Sequence, residues 1–260
     1  MMLLKDKIAV ITGGGYGIGR VIALTYAKAG ADVVLAARSL ARLEETKAEI
    51  ELLGRRALAV PTDITKEADV QQLAEKTLAH FGQVDILVNN SGIGGPSAPL
   101  WEVDPADWQQ TFDVNVKGAY LCCRAFLPSM TKRQTGSIIM IGSMTGKRAL
   151  LNRSAYCASK TALIGFVRAL AWDTGPYNIR VNLISPGAVA GERIQWGIRS
   201  LANSHGITIE QAEEQFTRDS PFKRLVAPED IANTALFLAS HMAASITGED
   251  MNVSAGVVMY

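Results

Sequence analysis

A chain of 260 residues, 48% apolar and 20% charged, is long enough for one large domain or two small ones and can bury a substantial core. With 26 basic against 25 acidic residues the net charge is +1, which excludes the electrostatic footprint of a nucleic-acid binder and a polybasic membrane tail. The three cysteines, Cys122, Cys123 and Cys157, lack metal-ligand spacing and suit reduced thiols; with three histidines scattered along the chain, no metal site is expected.

The first residues, Met1 to Lys7, carry charge where a signal peptide needs its apolar stretch, and no segment approaches the roughly 18 apolar residues that span a bilayer. A cytoplasmic protein with no membrane partner is the expectation. Ile8-Ala9-Val10-Ile11 then reads as a strand buried on both faces, and Ile18, Ile22 and Tyr26 recur at helical spacing. Between them lies Thr12-Gly13-Gly14-Gly15-Tyr16-Gly17-Ile18-Gly19. Glycines there permit a tight turn, close approach of a pyrophosphate and close helix–strand packing, with free helix N–H groups facing the anion. Turns also collect glycine for conformational reasons alone. The spacing Thr12-Gly13-x-x-x-Gly17-x-Gly19 resembles that of the short-chain dehydrogenase/reductase family. The resemblance implies that Gly13, Tyr16, Gly17, Ile18 and Gly19 hold a nicotinamide dinucleotide.

A helix ending near Ala29-Gly30 leads to the strand Val33–Ala37 and then Arg38. In a doubly wound fold the residue ending this strand meets the adenosine ribose, where an acid binds the 2′-hydroxyl and an arginine accommodates a 2′-phosphate. Ala37 stands where NAD-preferring family members carry Asp, so Arg38 favours NADP(H) over NAD(H). The family's other basic position, inside the glycine turn, is Tyr16 here, and the plain alternative is that Arg38 starts a solvated loop before a helix over 41–53. A strand at 57–60 is followed by Asp63 and Ile64, which the resemblance places against the adenine, although Asp63 and Thr65 serve equally as caps of the helix Glu67–Phe81. The strand Val84–Val88 closes on Asn89-Asn90-Ser91-Gly92, similar to the family's Asn-Asn-Ala-Gly with Ser for Ala. Asn90 and Gly92 would line the cofactor crevice. Residues 94–105 read as loop and 107–130 as helix with a break around Asn115, whose surroundings, Asn115-Val116-Lys117-Gly118, resemble the family's catalytic-Asn helix.

A strand ending in Ser143 precedes Tyr156-Cys157-Ala158-Ser159-Lys160, which opens a helix running to about Trp172. Of the six tyrosines only Tyr156 has a lysine four positions on, hence on the same helix face. A nearby ammonium favours the phenolate and tunes the phenol as an acid or base. Moving hydride to a carbonyl requires a proton donor and a second donor for the developing oxyanion. Tyr156 and Ser143 fit those roles. As the resemblance implies, Lys160 would tune Tyr156 and bind the nicotinamide ribose, and Asn115 would position a water linking Lys160 to solvent. The bland reading of the Tyr–Lys spacing taken alone is a solvated pair. The strand 180–184 ends in Ser185-Pro186-Gly187, the family's form, with Val189 offering backbone groups to the carboxamide; Gly191 replaces the Thr that family members often carry there.

Residues 190–225 correspond to the family's substrate lid, with one helix expected over 209–218 and Gly206 as a hinge. A helix over 228–240, a closing strand within 246–253 and the apolar tail 256–260, read as a subunit contact, complete the chain. Arg153, three residues before Tyr156, and Arg193 in the lid are candidates for binding an anionic substrate group, with Lys147, Arg148 and Arg199 nearby in sequence. Arg153 reads equally as the partner of an acid or as solvent-facing. The expected fold is α/β: a single domain over 1–260 built on one doubly wound parallel Rossmann-type sheet of about seven strands, with helices on both faces. The expected function is NADP(H)-dependent interconversion of a secondary alcohol and a ketone, in a homotetramer as the family implies. The alternatives are an NAD-dependent catabolic dehydrogenase of a polyol or hydroxy acid, and a catalytically silent nucleotide-binding scaffold.

Overall fold

Apolar strands alternate with helices along the chain, and the computed structural model, which describes residues 2–260, assembles them around one sheet. The strands are β1 (Ile8–Thr12), β2 (Asp32–Ala37), β3 (Ala57–Pro61), β4 (Ile86–Asn89), β5 (Gly136–Ile141), β6 (Ile179–Pro186) and β7 (Asp250–Val253). They lie in the order β3-β2-β1-β4-β5-β6-β7, every pair parallel. The helices are α1 (Gly17–Lys28), α2 (Leu40–Leu52), α3 (Glu67–Phe81), α4 (Pro105–Phe112), α5 (Gly118–Arg133), α6 (Ser154–Thr174), α7 (Glu192–His205), α8 (Ile209–Thr217) and α9 (Pro228–Ala239).

A parallel sheet needs cover on both faces, and the pleat divides its side chains between two cores. Ala9, Ile11, Val33, Leu35 and Ile139 pack with Ile22 of α1, Leu43 of α2 and Ile231 of α9. Val10, Val34, Ile138 and Met140 pack with Leu73 of α3, Phe126 of α5 and Leu163 of α6 on the other face. Strand order reverses between β1 and β4, which opens a crevice beyond their carboxyl ends.

Four details depart from the sequence reading. The fourth strand starts at Ile86 instead of Val84, because the Val84 carbonyl accepts from Arg133 Nη1 (2.9 Å) and leaves the ladder. The last strand is confined to Asp250–Val253: Asn182 and Val181 take up Ile246 O and Thr247 Oγ1, and Gly248 sits at φ +77°. The stretch 190–225 holds two helices, α7 and α8, where one was expected; Ile198 and Ala202 of α7 bury against Ala212 of α8 in a small core separate from the sheet. Finally, Val258 in the apolar tail is buried within its own chain and exchanges hydrogen bonds with Ser254 Oγ, so only Met259 and Tyr260 stand fully exposed.

Asp85 shows how the sheet is pinned at its other edge. Its buried carboxylate accepts from Ile8 N (2.9 Å), Arg133 Nη2 (2.8 Å) and Gln83 Nε2 (3.0 Å). Asp85→Ala is expected to cost about 2 kcal/mol by leaving a buried N–H unmade, read as a lower urea midpoint at unchanged slope. An unmoved midpoint would remove this role.

Among the described residues no helix is long and apolar enough to cross a membrane, and no group of three or more His, Cys, Asp or Glu is placed to hold a metal ion. The three cysteines are free.

Candidate active site

The crevice floor is the turn after β1. Gly13 (φ +67°) and Gly17 (φ +56°) adopt the left-handed backbone that glycine tolerates, and a Cβ at Gly19 would collide with the Gly13 carbonyl. No side chain caps the N-terminus of α1, so its first N–H groups are left for a ligand. Asn90 ties the two strands that border the crevice: its Nδ2 donates to Thr12 O (2.9 Å) and Gly13 O (3.3 Å). Thr12 Oγ1 in turn accepts from the N–H groups of Asn90 and Ser91, both at 3.0 Å. This cradle fits a dinucleotide pyrophosphate.

At its far end Arg38, Asp63, Thr65, Gln109, Asp113 and Val114 line a cavity of about 290 Å³. Asp63 is held by its neighbours: Oδ1 accepts from Thr65 Oγ1 (2.8 Å) and Thr65 N (3.1 Å). The Thr65 hydroxyl, with Lys66 and Arg38 adding charge, holds the carboxyl below its ordinary range. It therefore caps its own loop and not α3, whose N-terminus has no side-chain cap. The Ile64 side chain is buried against Gly118, so only its backbone can face a ligand. Arg42 was missed in the sequence: one turn into α2, its guanidinium lies 5.1 Å from the Tyr16 ring centroid. Its position four residues after Arg38 was the available signal.

The chemical centre sits over the ends of β4, β5 and β6. A π-turn over Asp113–Lys117 interrupts the helical run where the sequence predicted a break, and buries Asn115. Asn115 Oδ1 accepts from Ile93 N (2.8 Å), while Nδ2 donates to Ile93 O (3.0 Å) and Ser159 Oγ (2.9 Å). The side chain is thus engaged in clamping α6 to the loop after β4. Lys160, buried, donates to Ile141 O (2.9 Å), and its Nζ lies 5.8 Å from the Tyr156 ring centroid. Gly92 makes room at this point, since a Cβ there would stand 3.2 Å from Asn115 Oδ1 and 3.4 Å from Lys160 Nζ.

Ser143 follows β5, and its Oγ accepts from both Thr145 N (3.2 Å) and Thr145 Oγ1 (3.0 Å). With both lone pairs engaged, the hydroxyl proton is directed outward as a donor. Thr145 is a second residue that sequence reasoning passed over. Burial raises the Tyr156 phenol, but Lys160, Arg193, the Ser143 hydroxyl and Arg153 outweigh it, so the net displacement is below the ordinary tyrosine value. Lys160 is itself lowered by burial.

Pro186 and Gly187 close the site behind β6; a Cβ on Gly187 would meet Ser254 Cα at 2.8 Å. Val189 bridges Val226, with Ala188 O and Ala190 N making the bonds, so the N–H and C=O of Val189 point away from that bridge. Arg153 and Arg193 converge on Tyr156, each guanidinium carbon 5.6 Å from its ring centroid. The other basic candidates are elsewhere: Lys147 pairs with Asp250 (3.0 Å), Arg148 with Asp219 (3.0 Å), and Arg199 is exposed on α7.

Comparison with known proteins agrees with this arrangement. Residues 13–258 match a family model described as enoyl-(acyl carrier protein) reductase. The chain is 37% identical over 255 residues to the 7α-hydroxysteroid dehydrogenase of Escherichia coli (strain K12), covering 98% of this chain and 95% of that protein. A solved 7α-hydroxysteroid dehydrogenase in complex with NADH and 7-oxo glycochenodeoxycholic acid superposes with a TM-score of 0.89 at 38% identity, over 100% of this chain and 97% of that one. L-sorbose reductase from Gluconobacter frateurii, complexed with NADPH and L-sorbose, superposes with a TM-score of 0.95 at 33% identity, over 100% and 99% of the two chains. The glycine cradle, the Tyr156–Lys160 pair and these full-length likenesses lead to one conclusion: the chain belongs to the short-chain dehydrogenase/reductase family, oxidoreductases that act on CH–OH groups with a nicotinamide cofactor.

Proposed function

We propose that the protein interconverts a secondary alcohol and a ketone with NADP(H), with Tyr156 as acid and base. The observation that carries this reading is the grouping of Tyr156 with buried Lys160, whose Nζ lies 5.8 Å from its ring centroid, and with Ser143, whose Oγ accepts from Thr145 and whose proton is left to donate to the phenol or to a substrate oxygen. When bound, the nicotinamide supplies or accepts the hydride at the substrate carbon. Tyr156 gives its proton to the substrate oxygen in reduction and removes it in oxidation, while Ser143 donates a hydrogen bond to the same oxygen. Lys160 keeps the phenol acidic and would hold the nicotinamide ribose. Asn115 fixes the loop and helix around Lys160; because its side chain is engaged, a water linking Lys160 to solvent would rest on its backbone. Gly13, Tyr16, Gly17, Ile18 and Gly19 would hold the pyrophosphate side, Asp63, Ile64, Asn90 and Gly92 the adenosine side and crevice wall, and Pro186, Gly187 and Val189 the carboxamide. Residues 190–225 act as the substrate lid. Tyr120 of α5 and Trp172 of α6, both exposed, offer outward surface for a homotetramer.

NADP(H) is favoured because Arg42 stands over Tyr16 of the glycine turn and Arg38 lines the cavity beyond β2, and neither forms an ion pair with a carboxylate among the described residues. A 2′-phosphate would supply the missing charge. Initial rates with NADPH and NADH test this: Arg38→Ser is expected to raise the KM for NADPH about 10- to 100-fold, as loss of a charged hydrogen bond does, with little change for NADH. Preference for NADH in the wild type would instead favour the NAD-linked dehydrogenase.

A further inference from the structure

We propose that the substrate is a short oxo acid, or in the oxidative direction its hydroxy acid, whose anionic group is gripped between Arg153 and Arg193 while its carbonyl meets Tyr156 and Ser143. This rests on the oxidoreductase reading above and names the substrate class for that site. Three observations carry it.

The first is convergence. Arg153 comes from the loop before α6 and Arg193 from the first turn of α7, yet both guanidiniums lie over the ring of Tyr156 and both reach Gly94. A Cβ built on Gly94 would stand 2.6 Å from Arg153 Nη2 and 2.6 Å from Arg193 Nη2, so the absence of a side chain there is what lets two like charges meet. The second is missing compensation. Arg153 Nη2 donates to Gly94 O (2.9 Å), and among the described residues neither arginine forms an ion pair with a carboxylate. With Lys160 behind the ring, three cations surround one tyrosine in a chain whose net charge is only +1. Burial and the neighbouring Arg193 both lower the Arg153 pKa from its ordinary value. An anion placed between two planar guanidiniums would satisfy donors that the protein leaves open.

The third observation is proximity. Both cations sit over the ring of the residue that meets the reacting oxygen, so the anionic group must lie close to the carbonyl carbon. That favours a compact oxo acid over a long ligand carrying its charge at a distant end. Because Arg193 belongs to the lid and Arg153 to the body, such an anion would also draw α7 onto the site. Trp196, three residues further along α7 and exposed, would then cover the mouth.

The test compares acetoacetate with acetoacetamide, which match in size and differ in charge; acetonyl sulfonate and acetonyl phosphonate extend the panel to other anions. Turnover is measured with wild type, Arg153→Gln and Arg193→Gln. Binding of the same compounds to the Tyr156→Phe protein, with and without those changes, is followed by calorimetry and does not depend on turnover. Arg193 is exposed on the lid, so its loss leaves both sheet cores intact, and retained NADPH binding checks the fold of each variant. The expected result is at least a tenfold preference for acetoacetate, or for one of the other two anions, in both assays, reduced to near unity by either substitution. Equal turnover and binding of acid and amide, or a preference that survives both substitutions, would overturn the proposal and leave the oxidoreductase reading standing. If no ketone is turned over with either cofactor, the oxidoreductase reading fails and the binding comparison alone decides the anion site.

Discussion

Tyr156→Phe is expected to lower turnover about 10³-fold in both directions, within the range that a positioned general acid or base supplies. Among the described residues of the centre, the phenol is the group whose proton can be passed to a substrate oxygen, since Lys160 is directed at Ile141 O. Phe keeps the ring, so the packing of Lys160, Arg153 and Arg193 around it survives, and NADPH binding should be unchanged by fluorescence titration. Loss of binding together with turnover would mean that the ring, not its proton, matters. Turnover within a fewfold of wild type would remove Tyr156 from the chemistry.

The second large effect concerns Lys160. Burial raises the Tyr156 phenol, and the cations that bring it below its ordinary value begin with Lys160. Lys160→Met removes that cation and leaves the burial, so the phenol pKa rises. Oxidation uses the phenolate and grows as pH climbs through this pKa; reduction uses the phenol and declines through it. The variant should therefore oxidise alcohols about 10²-fold more slowly at neutral pH, because the phenol has lost the opposite charge that favoured its ionised form, and should regain part of the rate in alkali. Its reductive activity should persist to higher pH. A pH–rate profile that falls in height without moving along the pH axis would give Lys160 a binding role alone.

Much of this is legible in the sequence alone. Strands such as Ile8–Thr12 announce themselves because burial on both faces demands an unbroken apolar run, and the Tyr156–Lys160 spacing places both on one helix face. The break at Asn115 was visible because a mid-helix Asn competes for the backbone's own hydrogen bonds; that it becomes a π-turn was not, since a one-residue insertion leaves no periodic signature. Helix α7 escaped for a different reason. Ile194, Ile198 and Leu201 carry the period, but Gly197 interrupts it, and the helix buries its apolar side in a small local core with α8. The roles of Gly94 and Thr145 are contacts between distant or irregular segments, set by the packing of loops, and one-dimensional spacing holds no trace of them. Arg153 and Arg193 were nameable as candidates, whereas their meeting over one ring depends on where the lid helix begins.

The central claim, that Tyr156 serves hydride exchange at a carbinol carbon, is tested most directly by isotope placement. Acetoacetate and a neutral ketone are incubated with NADPH deuterated at both C4 positions, and the products are analysed by mass spectrometry and NMR. The account predicts one deuterium on the carbinol carbon of the product alcohol, formed at a rate that collapses in Tyr156→Phe. Product without deuterium at that carbon, or no alcohol from any ketone with NADPH or NADH, would contradict it.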